Sequence, residues 1–280
     1  MMTKAELSPI IKEVFSQTFY KNLETMLGVT KYINRDYEGE IKTWADTVHI
    51  PYVSSDSDAD IITSDNQPYN DGQTEVANLD LVIQKKAVKS MVITDWAKYI
   101  SNPAYQDLVR HKLEYKVLKA IESSVIAGIT PDSTMRNGSE ATFKLEHFTE
   151  ARKALVGKEV PDDGTWVCFL GVDYMEDLLN ESEIISKEYF STETDSPLIT
   201  GKVTRKLYGF SVFETTLLSA TRALFWHPSF MTMAMQKGAD YKEMDLEPHL
   251  KVPATRVRVD SLFDFKQMDK YRLFEVSSVA

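Results

Sequence analysis

The chain has one cysteine, Cys168, so it has no internal disulfide. That fits synthesis in a reducing cytoplasm. No run of eighteen apolar residues occurs, so a transmembrane helix is not expected. The opening Met1-Met2-Thr3-Lys4-Ala5-Glu6 lacks the apolar core and small-residue cleavage site of a secretory signal. There is no phosphate-cradling glycine loop, no nucleophile elbow and no zinc-binding His-Glu helix. No repeat of solenoid or propeller period is present. Basic charge is also short: Asp and Glu outnumber Lys and Arg by 42 to 32, a net charge of −10. This argues against a protein whose main task is gripping nucleic acid. It is compatible with a container that holds nucleic acid loosely.

What is present is an ordinary globular composition, 43% hydrophobic and 26% charged over 280 residues. A sizeable core in one large or two modest domains is expected. Val48, Ile50 and Tyr52 alternate with polar neighbours in Ala45 to Tyr52, and Leu79, Leu81 and Ile83 alternate on the return. Between these two strands lies the stretch Val53 to Asn78, with Asp56, Asp58, Asp60, Asp65, Asp71 and Glu75. A structureless loop of about 25 residues is uncommon inside a compact domain, so a long two-stranded arm is predicted. Such an arm is marginal alone and needs another surface, which points to an assembly subunit if that surface belongs to a neighbouring copy.

Ser8-Pro9 followed by Ile10, Ile11, Val14, Phe15, Phe19, Leu23, Met26 and Leu27 reads as an amphipathic helix leaving at Gly28. Tyr32 to Glu40 is a polar turn, and Lys85 to Thr94 continues the return strand. A long helix is predicted from Pro103 through Val125 to Gly128, about 37 Å if fully helical. Pro131 to Ser139 reads as a loop turning at Asn137-Gly138, and Leu145 to Val156 as a helix. Trp166 to Leu170 is a buried strand, and a helix starts at Asp173. Thr192 to Gly201 is polar. Strands are expected at Tyr208 to Phe213, Ala223 to His227 and Thr255 to Asp260, with another apolar block from Pro228. The mixture is α+β.

The order of these elements resembles the major capsid proteins of tailed bacteriophages, the Hong Kong 97-like or Johnson fold. The resemblance runs over about residues 40 to 275. It rests on Asp46-Thr47-Val48-His49-Ile50-Pro51 leading into an extended arm, the family's E-loop, and on Pro103 to Ala127, which looks like its spine helix. It also rests on Glu150 to Leu155, the Pro161 and Gly164 spacer and Trp166 to Phe169, and on Gly201 with Tyr208 to Val212 and His227. The last part is Arg256 to Asp264, where Asp264 stands at a place often occupied by glycine.

The resemblance implies an N-terminal helix or arm at 1–40, an E-loop arm at 41–94 and a spine helix and loop at 95–144. It further implies an axial domain at 145–250 and a closing peripheral strand at 251–280. It implies a self-assembling shell of pentamers and hexamers around double-stranded DNA, with scaffolding and portal proteins as partners and no membrane. The shell would assemble in a bacterial host's cytoplasm. In it the arm and the Pro131 to Ser139 loop absorb the angular differences between rings. No enzyme activity and no cofactor follow from it. With only a short segment before the arm, a fused scaffolding extension is not expected in this form, and a cleaved one stays open. Some family members cross-link Lys to Asn, but no motif here places either partner. An encapsulin-like compartment with enzyme cargo is the nearest alternative. A two-domain enzyme using acids such as Asp162, Asp163, Asp173 and Glu176 is another, although no spacing makes them converge.

Asp56, Asp58 and Asp60 have the one-three-five spacing of a calcium loop, but Ile61 and Gln67 stand where Gly and Glu are required. An acidic arm that meets Lys or Arg of an adjacent subunit is the favoured reading; a merely solvated tip is the plainer one. Lys251, Arg256 and Arg258 form a modest basic group, Arg256 and Arg258 on one strand face. They are candidates for inter-subunit pairing or for DNA contact, and the net charge favours pairing. His49, His111, His147, His227 and His249 show no ligand spacing. Cys168 in an apolar strand reads as a core thiol, and Met231, Met233 and Met235 as a core stripe.

Overall fold

The computed structural model describes residues 28–40, 47–55, 75–95, 103–138, 140–181, 184, 206–246 and 253–278. The amphipathic segment Ser8 to Leu27 and the polar stretch Thr192 to Gly201 lie outside them.

Alternation of apolar and polar residues produces β1 (Thr47–Ser55) and β2 (Glu75–Val82), which pair antiparallel as expected, Val48 opposite Leu81 and Ile50 opposite Leu79. β3 (Lys85–Thr94) follows, then α1 (Pro103–Ala127), 25 residues with no internal proline or glycine to break it. The short strand β4 is Arg136–Gly138 and α2 is Glu146–Val156. Next come β5 (Val167–Leu170), α3 (Val172–Asn180), β6 (Ser211–Glu214) and β7 (Arg222–Trp226). The chain ends through β8 (Met231–Asp245), β9 (Ala254–Gln267) and β10 (Leu273–Ser277). The mixed α+β class holds.

Two sheets share the core. One is five-stranded, β4-β10-β7-β5-β6; the other is three-stranded, β3-β9-β8. In the first, Trp166, Cys168 and Leu170 face α2 and α3, packing with Phe148, Phe210, Phe225 and Tyr174. Val167 and Phe169 face the opposite way, where Phe169 stacks on Trp226 with ring centroids 4.8 Å apart. That second side is continuous with the packing of α1 on the three-stranded sheet, through Val109, Leu113, Val117, Val257 and Val259. Met231 and Met233 are buried there and Met235 packs at the margin, the core stripe expected from sequence. β8 joins the three-stranded sheet and β10 the five-stranded one. The spans 145–250 and 251–280 therefore interleave across both sheets.

Two expectations are corrected. Tyr208 and Gly209 are not strand but a tight turn, both with positive φ (49° and 93°), closed by paired backbone hydrogen bonds between Leu207 and Phe210. The strand begins only at Ser211. Asn137-Gly138 do not form a turn: β4 pairs them parallel to Val276 and Ser277 of β10. Part of the loop assigned an angle-absorbing role is thus fastened into a sheet. The apolar block at Pro228 opens as a single 3-10 turn, Pro228–Phe230, before β8.

Candidate assembly surfaces

The β1–β2 hairpin is anchored at one end. Val48, Ile50 and Leu81 are buried with Ala234 of β8, and Tyr37, Leu79, Ile83 and Met268 pack around them. Tyr52 continues the alternation of Val48 and Ile50, yet it is 45% exposed, and Val53 is 56% exposed. The same stripe is therefore core at the base and bare apolar surface farther out. Across the exposed side, His49 Nδ1 lies 2.6 Å from Asp80 Oδ1, in the register that places these residues opposite each other.

At the return, Asp264 of β9 accepts from the Gln84 N–H at 3.2 Å and pairs with Lys85 Nζ at 3.0 Å. Lys85 also sits over the Phe265 ring, 3.5 Å from its centroid. Asp264 thus ties the β2–β3 junction to β9. Glu75 opens β2 opposite Ser55, where the register slips. Asp56, Asp58, Asp60, Asp65 and Asp71 lie outside the described residues, as do Lys251 and His249.

The second surface is the side of the three-stranded sheet turned away from α1. Cross-strand pairs share a face, so Val88, Val92 and Met244 stand beside Asp260, Arg258 and Arg256. All three apolar side chains are exposed. Exposed apolar residues beside Arg256 and Arg258, with Lys86, Lys242 and Asp260 on the same face, make a mixed apolar and charged surface of the kind protein contacts use. Arg258 is committed within its own strand, its Nη2 3.5 Å from Asp260 Oδ2, where Lys86 Nζ also lies at 3.4 Å. The structure therefore keeps Arg256 and Arg258 on one face and gives Arg258 an intrachain partner.

The acids considered for catalysis do not converge. Asp162 pairs with Arg152 at 2.6 Å. Asp163 accepts from the Thr165 hydroxyl and N–H, and these bonds, with His227 beside it, hold its carboxyl at about 2. His227 connects Asp163 (3.2 Å) to Ser229 (2.6 Å), a chain of Asp, His and Ser. Its form is that of a cap, because the Ser229 N–H donates to the same His227 Nδ1 and Arg272 donates to the Ser229 hydroxyl. Asp269, which caps the next turn, holds Arg272 in turn. Cys168 is fully buried, and burial pushes its thiol up, away from the reactive thiolate. Among the described residues no three His, Cys, Asp or Glu side chains group to hold a metal, and no helix is long and apolar enough to cross a membrane.

Two features escaped sequence reasoning. One is the lysine stripe on α1, which lies on the side of the helix away from the apolar positions that mark it in sequence. The other is Glu275, a buried charge whose arginine partners are distant in sequence.

The architecture defined by these elements is shared with chains of known structure. A solved chain from Mycobacterium phage Che8 superimposes with a TM-score of 0.76 at 16% identity, covering 96% of this chain and 97% of that one. The capsid structure of cyanophage P-SCSP1u gives 0.76 at 10% identity, over 97% and 94%. The capsid of a native GTA particle gives 0.71 at 8% identity, over 99% and 98%. At these identities the shared property is the fold, over nearly the whole of each chain. No known family's sequence pattern matches the chain. No curated protein matches it either.

Proposed function

We propose that this chain is the structural subunit of a tailed-phage capsid with the Hong Kong 97-like fold. The observation that carries the reading is the likeness of the whole chain to whole capsid chains, 97% against 94% for the cyanophage shell. Of the acids considered for an enzyme site, Asp162 pairs with Arg152 and Asp163 holds the Thr165 turn, while Asp173 and Glu176 are exposed on α3.

In this reading β1 and β2 are the base of the E-loop. α1 with β3, β8 and β9 is the peripheral domain, and the five-stranded sheet with α2 and α3 is the axial domain. The arm leaves its own subunit past Ile50, where Tyr52 and Val53 are bare, and lies on a neighbour. Its acids, Asp56, Asp58, Asp60, Asp65, Asp71 and Glu75, meet basic residues of that neighbour, with Arg256 and Lys251 as candidates. Such contacts are individually weak. A subunit held by several at once forms each later one at high effective concentration, so rings of five and six can correct errors and still close. The finished shell encloses double-stranded DNA, and scaffolding and portal proteins assist its assembly in the bacterial cytoplasm.

Deletion of Asp56 to Asn70 tests the mechanism. By sedimentation and light scattering, wild-type protein is expected to run far above its subunit mass of 31.9 kDa. The deletion is expected to remain folded and to run as a subunit or small oligomer. Large particles formed equally by both would remove the arm from the mechanism.

A further inference from the structure

We propose that the outward face of α1, carrying Lys112, Lys116 and Lys119, is a contact surface for the phosphate backbone of duplex DNA. The three lysines fall at steps of four and three, one stripe of the helix. Lys112 and Lys116 are exposed, Lys119 is half-exposed, and the stripe continues through exposed Ser123 and Ala127. Small residues there leave room for a bulky partner.

Among the described residues no acidic side chain compensates the charge of this face. Lys112, Lys116 and Lys119 form no ion pair among the described residues. The neighbouring acids are both occupied: Glu114 pairs with Arg110 at 2.9 Å, and Glu122 is turned inward to the Gly28 N–H at 3.2 Å. A bare cationic stripe in a chain of net charge −10 is a local exception. Two lysines separated by seven helical residues lie about 10 Å apart, a length over which duplex DNA carries roughly six phosphate charges.

The kind of partner follows from composition. Protein interfaces are enriched in aromatic residues, Met and Arg and depleted in Lys. The far side of the sheet carries Val88, Val92, Met244, Arg256 and Arg258, and its lysines are paired, Lys86 with Asp260 and Lys242 with Asp240. The α1 stripe differs: its three lysines have no acidic partner among the described residues, Lys116 lies over the Tyr115 ring, and Ser123 and Ala127 continue the stripe. The two sides of this layer are therefore suited to different partners, neighbouring subunits on the sheet side and a polyanion on the helix side. Lysine is a point charge without the planar fork that reads base edges, so the contact is independent of DNA sequence. The inference rests on the capsid reading for the identity of the polyanion. It assigns the DNA contact to α1, away from Arg258.

The test is fluorescence anisotropy of a labelled random-sequence duplex titrated with the full chain across a salt series. Three phosphate contacts predict that log K falls with log salt at a slope of about −2.7. The triple variant Lys112→Gln, Lys116→Gln, Lys119→Gln is expected to lose that slope, while Lys89→Gln on exposed β3 keeps it. If the triple variant fails to fold, Lys116→Gln alone is expected to reduce the slope by about 0.9. An unchanged slope in the variants, equal loss in Lys89→Gln, or no binding by wild type at low salt would overturn the proposal. Particle formation is read separately by microscopy. Shells without this salt signature remove the lysine surface and leave the capsid reading; the signature without shells does the opposite.

Discussion

Glu122, in the last third of α1, accepts a hydrogen bond from the backbone N–H of Gly28 at 3.2 Å, 94 positions away in sequence. Its other oxygen accepts from the Thr30 hydroxyl at 3.3 Å. The carboxylate so fastens the start of the described chain to the long helix. It is 4% exposed, and burial pushes its pKa above the usual 4.5, with the hydrogen bonds opposing that rise.

Glu122→Ala leaves these donors without their acceptor and is expected to cost about 1–3 kcal/mol. The pH dependence has a definite sign. A carboxyl whose folded pKa is raised contributes stability that is complete below about 4.5 and is lost as pH rises through the folded value. The deficit of Glu122→Ala is therefore larger near pH 4 than at pH 7. Urea unfolding of the subunit at both values checks this, and an equal deficit contradicts it.

Glu275 gives a second prediction. It is 1% exposed on β10 and receives Arg222 through Nε at 3.1 Å and Arg136 through Nη2 at 3.1 Å. Glu275→Ala leaves Arg222 and Arg136, 22% and 43% exposed, without their shared acceptor, and is expected to cost about 1–3 kcal/mol. Substituting all three by apolar residues of similar size is expected to recover most of that loss. Denaturant midpoints of the single and triple variants decide the matter.

The sequence revealed features whose cause is local. Apolar alternation located β1 and β2, and the three- and four-residue spacing from Leu108 to Val125 located α1. Cys168 and the Met231 stripe were legible because burial follows from period and neighbours. Features set by distant partners were hidden. Nothing local marks Asn137-Gly138 as strand, since the pairing comes from Val276 and Ser277 in β10. The turn at Tyr208-Gly209 was masked by flanking Phe210 and Val212, whose apolar character mimicked a longer strand. Arg256 and Arg258 were correctly set on one face, but the partnership with Asp260 depended on strand geometry. The acidic tip of the arm lies outside the described residues.

Gly171 supplies a test of packing at the start of α3. A Cβ there would lie far inside contact distance of the backbone carbonyls of Ser219 and Ala220, which are not free to move as side-chain tips are. The Gly171 N–H also donates to Arg222 O at 2.8 Å. Gly171→Ala is expected to cost about 1–3 kcal/mol through forced backbone displacement. A melting temperature equal to wild type contradicts it.

Neutralising Asp56, Asp58 and Asp60 to Asn tests the charge of the arm apart from its presence. Exposed pairs contribute only about 0.2–1 kcal/mol each, and salt screens them. Assembly yield is expected to fall several-fold while subunit stability is unchanged, and added salt is expected to reproduce the loss in wild type. Normal yield from the variant would assign the arm's hold to Tyr52 and Val53 instead.

The most direct measurement is electron microscopy of the expressed full chain, alone and with a candidate scaffolding partner. Closed shells hundreds of ångströms across, built of five- and six-membered rings, are the predicted result. A uniform population of monomers or dimers under both conditions would contradict the account.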